Sequence, residues 1–509
     1  MVHWAMVTGR PLALMAVAAA VAVTVGCSAT PPMAMDGLVW GPCDSSVNPT
    51  TAGIAPDRLP RLTITCSLVD VPLDPLTTAT STPTTRGGTI TIRLVRVHHG
   101  PMEKAKEPLL LIAGGPGGSG VDNALYAAGY LPQATLDAFD LVGFDPRGVG
   151  RSGPIHCPKQ EPLSRPIADL TTDAGYSSVA DPYREHVERC IAALDGNAGH
   201  YGTTATAHDI DAIRAALGEE KLTAVGWSYG AKLGGEYVRL FPSHVRAIVL
   251  DAPTDPTVPW IITSERQVAG FEDTFDAFVD WCATHLVCDA LGDVRASTAR
   301  LVERADADPI RSGRPQGDLP ATGVDVLDGV TAALYDDARW PDLAEALAEA
   351  ASGDSGSLRE QAASVRGEVD ADTNFQDALM VINCTDSAPG PTEEEIRSAA
   401  ARFAKKYPLF GQWGAPQMMA CTPWTAPRHT LHAPVAPSAP TILVVGTVHD
   451  PATPYQGAVS MAASLGHARL LTWEGVGHGA FGRDDCTGEH VSRYLVDLTV
   501  PPEGTRCPP

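Results

Sequence analysis

Short apolar runs rich in Val, Ile and Leu alternate along the chain with segments whose apolar residues recur at helical spacing. Ile210, Ile213 and Leu217 form one such helical segment, which ends at Gly218 and leads into an apolar run. Buried strands that alternate with helices are typical of βαβ units and of a largely parallel sheet. The pattern therefore predicts an α/β fold with strands at residues 109–113, 141–144, 222–225, 247–250, 441–445 and 469–473.

The pattern changes between residues 256 and 433, where helical segments rich in Ala, Asp and Glu leave few strand-like runs. A short segment with proline at both ends, residues 434–440, follows and is typical of a linker. We interpret residues 256–433 as a helical cap inserted into a core that is formed by residues 27–255 and 434–509.

The first residues carry the features of an export signal. Arg10 precedes the uncharged stretch 11–25, which is shorter than the roughly 20 residues that a bilayer core requires. Residues 24–27 read Thr-Val-Gly-Cys, which resembles the site at which bacterial lipoproteins are cleaved and acylated. We therefore predict a signal peptide over residues 1–26 and export to the cell envelope or the medium, with Cys27 as the one candidate for a lipid anchor in the membrane.

Composition and charge narrow the class of protein. Of 509 residues, 44% are hydrophobic and 19% are charged, which is typical of a globular protein with a large core. The chain has 37 basic and 60 acidic residues and a net charge of −23. Because such a charge repels polyanions, nucleic acid is not expected as a partner.

The cysteines favour an oxidising compartment. There are eleven, and if Cys27 carries lipid an even number remains for disulfides. No two of them have the Cys-x-x-Cys spacing of a zinc site, so no metal is predicted. Spacing does not fix their connectivity, but pairing neighbours would close five short loops: Cys43 with Cys66, Cys157 with Cys190, Cys282 with Cys288, Cys384 with Cys421, and Cys486 with Cys507.

The strongest chemical signal is a Gly-x-Ser-x-Gly sequence centred on Ser228. It follows an apolar strand and precedes a helix rich in small residues, which is the context of a nucleophile elbow. In such an elbow the serine occupies a strained turn, and glycines flank it because a Cβ there would meet neighbouring backbone. The sequence therefore predicts that Ser228 is a nucleophile.

A serine needs a base to take its proton and a carboxylate to orient that base. Asp450 follows the penultimate predicted strand, and His478 follows the last one. Both lie on loops at strand C-terminal ends, where α/β sheets build their sites. We predict that His478 is the general base and Asp450 its acid, with no role for the neighbouring His449.

A glycine-rich loop, residues 113–120, follows the first strand of the α/β region. Two backbone N–H groups must stabilise the oxyanion of an acyl-transfer reaction, and one of them normally follows the nucleophile. Tyr229 is therefore the first predicted donor and Gly115 in the loop is the second. A phosphate-binding loop is not favoured, because the Lys-Ser/Thr ending is missing and the glycine spacing differs.

Motifs along nearly all of the chain after residue 40 resemble the proline-iminopeptidase-like serine peptidases of the α/β-hydrolase superfamily. Within these they are similar to the secreted tripeptidyl aminopeptidases of actinobacteria and their mycobacterial cell-envelope relatives. One departure is Ala113, where the family's loop usually opens with His. The motifs that carry the resemblance lie at residues 114–117, 145–152, 209–218, 226–230, 241–245, 384–386, 421–424, 450–454 and 477–479.

This resemblance implies an α/β-hydrolase fold with a mostly parallel sheet and a cap, and the removal of short peptides from a free N-terminus. The cap would supply carboxylates for the substrate's ammonium group, because a buried cation needs an anionic partner. Asp386 is the first candidate, followed by Glu272 and Asp273. The pair Asp145 and Arg147 is interpreted as stabilising a turn.

Three functions follow from these patterns. The first is an exported serine peptidase with a peptide or protein substrate and no cofactor. The second is a carboxylesterase or lipase of the cell envelope, because the same catalytic groups cleave esters. The third is a catalytically inactive hydrolase fold that binds a partner. The sequence predicts no oligomeric state.

Overall fold

A β-sheet forms the core of the computed structural model, which describes residues 37–49, 59–76, 88–100, 106–158, 166–313, 320–366 and 374–509. Its nine strands are β1 (Leu62–Pro72), β2 (Thr89–His99), β3 (Glu107–Ile112), β4 (Phe139–Phe144), β5 (Leu222–Trp227), β6 (Val245–Asp251), β7 (Ile442–His449), β8 (Ala468–Val476) and β9 (Arg506–Cys507). Their order across the sheet is β1-β2-β4-β3-β5-β6-β7-β8-β9.

The parallel and the antiparallel strands of the sheet differ in how their residues are buried. From β4 to β9 all neighbours are parallel, and residues of β4 and β6 are buried almost throughout, as in sheets covered on both faces. All six predicted strands are confirmed. The antiparallel pair β1 and β2 was not predicted, because buried and more exposed residues alternate along much of both strands and they therefore lack continuous apolar runs.

Helices connect the strands, and those between β6 and β7 occupy the interval predicted as a cap. The predicted helix before β5 is confirmed as α4, and Gly218 beyond its end has a φ of 82°, which favours glycine. The helices are α1 (Gly120–Tyr130), α2 (Gln133–Ala138), α3 (Asp173–Ala193), α4 (Thr203–Ala216), α5 (Tyr229–Leu240), α6 (Trp260–Cys282), α7 (Val294–Ala307), α8 (Gly323–Leu334), α9 (Trp340–Ser352), α10 (Gly356–Arg366), α11 (Phe375–Asp386), α12 (Glu393–Lys406), α13 (Gly411–Gly414), α14 (Gln456–Leu465) and α15 (Asp485–Asp497).

The helices between β6 and β7 share a hydrophobic core of their own. Phe271 and Phe275 of α6 each lie 5.9 Å from Phe410, measured between ring centroids, and all three side chains are buried. Leu170 and Val179, which precede β5 in the chain, belong to the same cluster. The segment around α3 therefore contributes to the packing of this helical layer, although it lies outside residues 256–433.

The structure contains the five disulfides that pairing of neighbouring cysteines would give. The predicted signal peptide, residues 1–26, and the lipidation candidate Cys27 lie outside the described residues. In the part of the chain that is described, no helix combines the length and apolar character needed to cross a bilayer.

Asp145 stabilises its turn as interpreted, but Arg147 is not its partner. Asp145 accepts hydrogen bonds from Ser119 Oγ and the N–H of Arg151, at 2.5 and 2.8 Å. The buried guanidinium of Arg147 instead binds both carboxylate oxygens of Asp209 on α4, at 2.7 and 2.5 Å. The partners were missed because a position 62 residues away is not apparent from the local sequence.

Candidate active site

Ser228 lies in a sharp turn between β5 and α5. Its φ of 57° and ψ of −121° place it in a conformation that non-glycine residues rarely adopt. A Cβ on Gly226 would lie 2.2 Å from the carbonyl oxygen of Gly230, and a Cβ on Gly230 would lie 2.1 Å from that of Ile112. Both contacts are impossible for a larger residue, so the two glycines allow the turn to form.

His478 and Asp450 form a hydrogen-bonded pair. His478 Nδ1 lies 2.9 and 3.0 Å from the two carboxylate oxygens of Asp450. The carboxylate is buried and also accepts from the N–H groups of Ala452 and Thr453, at 2.9 and 2.8 Å. These donors fix the acid, which in turn orients the imidazole so that Nε2 is left to act as a base.

Ser228 and His478 lie at the same edge of the sheet, because β5 and β8 belong to one parallel set. The residues beside them are in contact: the rings of Trp227 and Phe481 stack with centroids 6.3 Å apart, and a Cβ on Gly479 would lie 3.7 Å from Trp227 Cδ1. Within the described residues, Ser228 Oγ and His478 Nε2 do not form a hydrogen bond. Proton transfer between them stays a prediction.

The surroundings of His478 determine when it can act as a base. Burial of the imidazole disfavours its charged form, but the charge of Asp450 and the hydrogen bond to it outweigh burial. The pKa of His478 is therefore raised above its ordinary value of 6.5. The protonated form of His478, which cannot accept the serine proton, therefore persists to higher pH than it would in an unperturbed histidine.

We expect kcat/KM to rise with pH through the raised pKa of His478, because only the neutral imidazole accepts a proton. A profile of kcat/KM against pH reports the ionisations of the free enzyme. Its acidic limb should have a midpoint above 6.5, the ordinary value for histidine. The stability of the protein should be measured across the same range as a control. A midpoint below that value in folded protein would contradict this account of the base.

The glycine-rich loop lies directly against Ser228. A Cβ on Gly114 would lie 3.2 Å from Ser228 Cβ and 3.7 Å from its Oγ. Neither the N–H of Gly115 nor that of Tyr229 donates a hydrogen bond within the described part of the chain. Both N–H groups are therefore free to bind an oxyanion. Their role as oxyanion donors stays a prediction.

The first residue of helix α11, Phe375, packs against this loop. A Cβ on Gly117 would lie 2.6 Å from the carbonyl oxygen of Phe375, and one on Gly115 would lie 3.3 Å from Phe375 Cε2. Asn374, just before the helix, donates to the carbonyl oxygens of Gly148 and Ile155, at 2.7 and 2.9 Å. The helical layer is therefore bonded to the core beside the predicted oxyanion donors.

Tyr335, at the end of α8, contacts His478. Its main-chain carbonyl oxygen accepts a hydrogen bond from the main-chain N–H of His478 at 2.9 Å. The two side-chain rings meet edge to face with centroids 5.2 Å apart. Arg483 donates to the same carbonyl at 3.0 Å and pairs with Asp336 at 2.9 Å. The loop that carries His478 is thus held on the cap side as well.

Asp386 is buried in a hydrogen-bonded network with residues of α4 and of α5, the helix that follows Ser228. Its carboxylate accepts from the N–H and Oγ1 of Thr203, at 2.7 and 2.5 Å, and lies 3.7 Å from Lys232 Nζ. Thr203 Oγ1 is also 2.8 Å from the hydroxyl of Tyr229. Burial raises the pKa of Asp386 and lowers that of Lys232, so each group depends on the other to remain charged.

The other two carboxylates predicted to bind substrate also have protein partners. Glu272 binds Arg295 at 2.5 Å and accepts from the N–H of Phe410 at 3.3 Å. Asp273 is half exposed and binds His449 Nδ1 at 2.8 Å. A substrate ammonium would have to compete with these partners, and the choice among the three carboxylates stays a prediction.

Two clusters have the geometry of metal ligands, but both contain disulfide-bonded cysteines. They consist of Cys486, His490 and Cys507, and of Cys157, His186 and Asp377. A sulfur atom in a disulfide offers no thiolate to a metal. Neither cluster therefore provides its apparent set of ligands.

Sequence reasoning missed several groups at the site, of which Lys232, Tyr335 and Asp251 matter most. Asp251 ends β6, between the strands that carry Ser228 and Asp450, and its carboxylate is fully buried. The C-terminal end of a parallel strand is where catalytic groups collect, and that position was the available signal. Lys232 and Tyr335 offered none, because their contacts depend on how the helical layer packs.

Comparison with known proteins identifies relatives that match most of the chain. Residues 107–485 match the family described as alpha/beta hydrolase fold. Serine protease Hip1 of Mycobacterium tuberculosis is 35% identical over 422 residues, covering 78% of this chain and 80% of that protein. Carboxylesterase B of the same species is 34% identical over 423 residues, covering 79% and 80%. Tripeptidyl aminopeptidase of Streptomyces coelicolor is 30% identical over 495 residues, covering 93% and 87%.

Proposed function

The chain belongs to the α/β-hydrolase family and is a serine hydrolase, and from this premise we propose that it is an exported peptidase that releases short peptides from free N-termini. The observation that carries the chemistry is the hydrogen-bonded pair of His478 and Asp450 at the sheet edge where Ser228 occupies its strained turn. The peptidase assignment rests on the relatives named serine protease and tripeptidyl aminopeptidase.

The reaction would proceed through an acyl-enzyme. Ser228 Oγ attacks the carbonyl carbon of the scissile bond while His478 Nε2 takes its proton, and Asp450 stabilises the imidazolium that results. The negative charge that develops on the carbonyl oxygen is met by the N–H groups of Gly115 and Tyr229. Because Tyr229 begins α5, the helix dipole favours that charge as well.

Collapse of the tetrahedral intermediate breaks the C–N bond. His478 gives its proton to the leaving amine, which departs, and the acyl group remains on Ser228. Water then attacks the ester with His478 again acting as base, and the serine is restored. All of these steps use side chains and backbone groups of this chain.

Preference for a free N-terminus requires an anionic group near the acyl side of the substrate. Asp386, Glu272 and Asp273 are the candidates, and all three lie on helices between β6 and β7. A substrate ammonium at Asp386 would compete with Lys232, and one at Glu272 would compete with Arg295. Burial of the ammonium makes such a pairing necessary.

Export is part of the proposal. The N-terminal stretch has the composition of a signal peptide, and Cys27 lies where a lipoprotein would be acylated. Five disulfides fit an oxidising compartment, where such bonds form and persist. The protein would then act in the cell envelope or outside the cell.

A carboxylesterase is the second candidate. It is favoured by the similarity to carboxylesterase B, which is 34% identical over 79% of this chain. The same catalytic groups can cleave esters and amides, because both reactions are acyl transfers. An ester differs in that it has a better leaving group. Substrate preference therefore has to be decided by the amine that only a peptide substrate carries.

We expect free tripeptide amides to be cleaved at least about 10²-fold faster, by kcat/KM, than their N-acetylated counterparts. Acetylation removes the charge that the carboxylate would bind, and loss of one partner of a buried, hydrogen-bonded charge pair costs about 2–5 kcal/mol. The measurement compares kcat/KM for matched pairs of fluorogenic peptides. A short-chain p-nitrophenyl ester serves as the reference substrate.

Equal rates for free and acetylated peptides would remove the aminopeptidase assignment while leaving the hydrolase intact. Rapid ester hydrolysis without any peptide cleavage would favour the carboxylesterase. The ester therefore separates a wrong substrate class from an inactive preparation.

A further inference from the structure

A second buried carboxylate lies beside the catalytic pair. Asp251 ends β6 and is fully buried, and the residue after it, Ala252, has a φ of 55°. A non-glycine residue in that conformation is strained and persists only where its surroundings require it. The strand therefore ends in a second sharp turn, next to the one that holds Ser228.

Asp251 bonds to both halves of the catalytic site. Its main-chain carbonyl accepts from the N–H of Ser228 at 2.9 Å. Its side-chain Oδ2 accepts from the N–H groups of Ala480 and Phe481, at 3.0 and 2.9 Å, in the loop that carries His478. One residue thus connects the nucleophile's turn to the base's loop.

We propose that Asp251 is a positioning residue that sets the nucleophile and the base in one frame. It reaches the reacting atoms only through others, because its hydrogen bonds go to backbone N–H groups. Proton transfer between Ser228 and His478 needs their atoms within hydrogen-bond reach, and an error of about 1 Å in such a geometry costs about 10²-fold in rate. The inference rests on the serine-hydrolase chemistry of the proposed function and not on its substrate preference.

The charge of Asp251 also acts on the base. Burial raises the pKa of Asp251 to about 6, and the N–H groups of Phe481 and Ala480 oppose that rise. The titratable and charged groups that act on this region are His478, Asp450, Tyr130 and Arg483. Burial has the largest effect on the pKa of His478 and lowers it, whereas Asp450 raises it. When ionised, Asp251 adds a smaller effect that also raises this pKa.

Two substitutions separate position from charge. Asp251→Asn keeps an oxygen that can accept from both N–H groups but removes the charge, whereas Asp251→Ala removes both. The rate of labelling of Ser228 by a fluorophosphonate probe, measured against pH, requires no knowledge of the substrate. We expect D251A to label about 10²-fold more slowly than wild type, and D251N to lose less. In D251N the acidic limb should move to lower pH, because the charge that raises the pKa of His478 is gone.

Asp140→Asn is the matched control. Asp140 is another buried carboxylate, bonded to His98 at 2.6 Å at the start of β4 and hence at the opposite edge of the sheet. The D140N variant should be less stable than wild type, but the acidic limb of its labelling rate against pH should not move. If both Asp251 variants label at the wild-type rate with an unmoved limb, or if D251N behaves like D140N, the inference is wrong. Wild-type protein that resists the probe would instead overturn the proposed function.

Discussion

Ser228→Ala is expected to abolish turnover while leaving the fold intact. Loss of the nucleophile should lower kcat on the order of 10⁶-fold, because no other group can form the acyl-enzyme. The side chain makes no hydrogen bond within the described residues, and the strained turn is held by Gly226, Gly230 and the bond from the Ser228 N–H to Asp251. The melting temperature should therefore remain close to that of wild type.

Activity and thermal unfolding should be measured on the same preparations. Ser398→Ala is the matched control, because Ser398 is an exposed serine on α12. It should change neither quantity. Residual turnover of S228A within about 10²-fold of wild type, or unfolding during purification, would contradict the assignment of Ser228.

Asp209→Ala is expected to produce the largest loss of stability. The guanidinium of Arg147 is completely buried and binds both oxygens of Asp209, together with the carbonyl oxygens of Leu73, Pro72 and His200. Removal of the carboxylate leaves a buried charge without its counter-ion, which costs about 3–5 kcal/mol of the free energy of unfolding. The effect should appear in urea unfolding with the disulfides intact.

The control for that variant is Asp181→Ala. Asp181 pairs with Arg184 on the surface of α3 at 2.7 Å, and both side chains are more than half exposed. An exposed pair of this kind contributes about 0.2–1 kcal/mol. If D209A were no less stable than D181A, the buried pair would not have the structural importance that its geometry indicates.

The fold could be predicted wherever the chemistry is local in sequence. The central strands are continuous apolar runs, and Gly226 and Gly230 mark the elbow because only glycine fits there. Asp450 and His478 could be found because each directly follows a strand of a parallel sheet. Strands β1 and β2 were missed because alternating exposure weakens the apolar signal on which strand prediction depends.

The partners of charged groups could not be predicted, since they are set by packing between distant segments. Asp386 pairs with Thr203, which lies 183 positions earlier, and Arg147 pairs with Asp209 rather than with its neighbour Asp145. A sequence shows that a carboxylate is present, but it does not show whether a cationic side chain of the protein is already paired with that carboxylate. The same limit applies to the group that would bind the substrate's ammonium, which remains a proposal.

Ser228 and His478 are proposed to act together at one edge of the sheet. The sharpest test of this proposal maps a fluorophosphonate label by mass spectrometry and measures its rate in wild type and in His478→Ala. We expect a single label on Ser228 in wild type and labelling slower by about 10³-fold or more when the imidazole is removed. A label on another residue, or an equal rate in the two proteins, would contradict it.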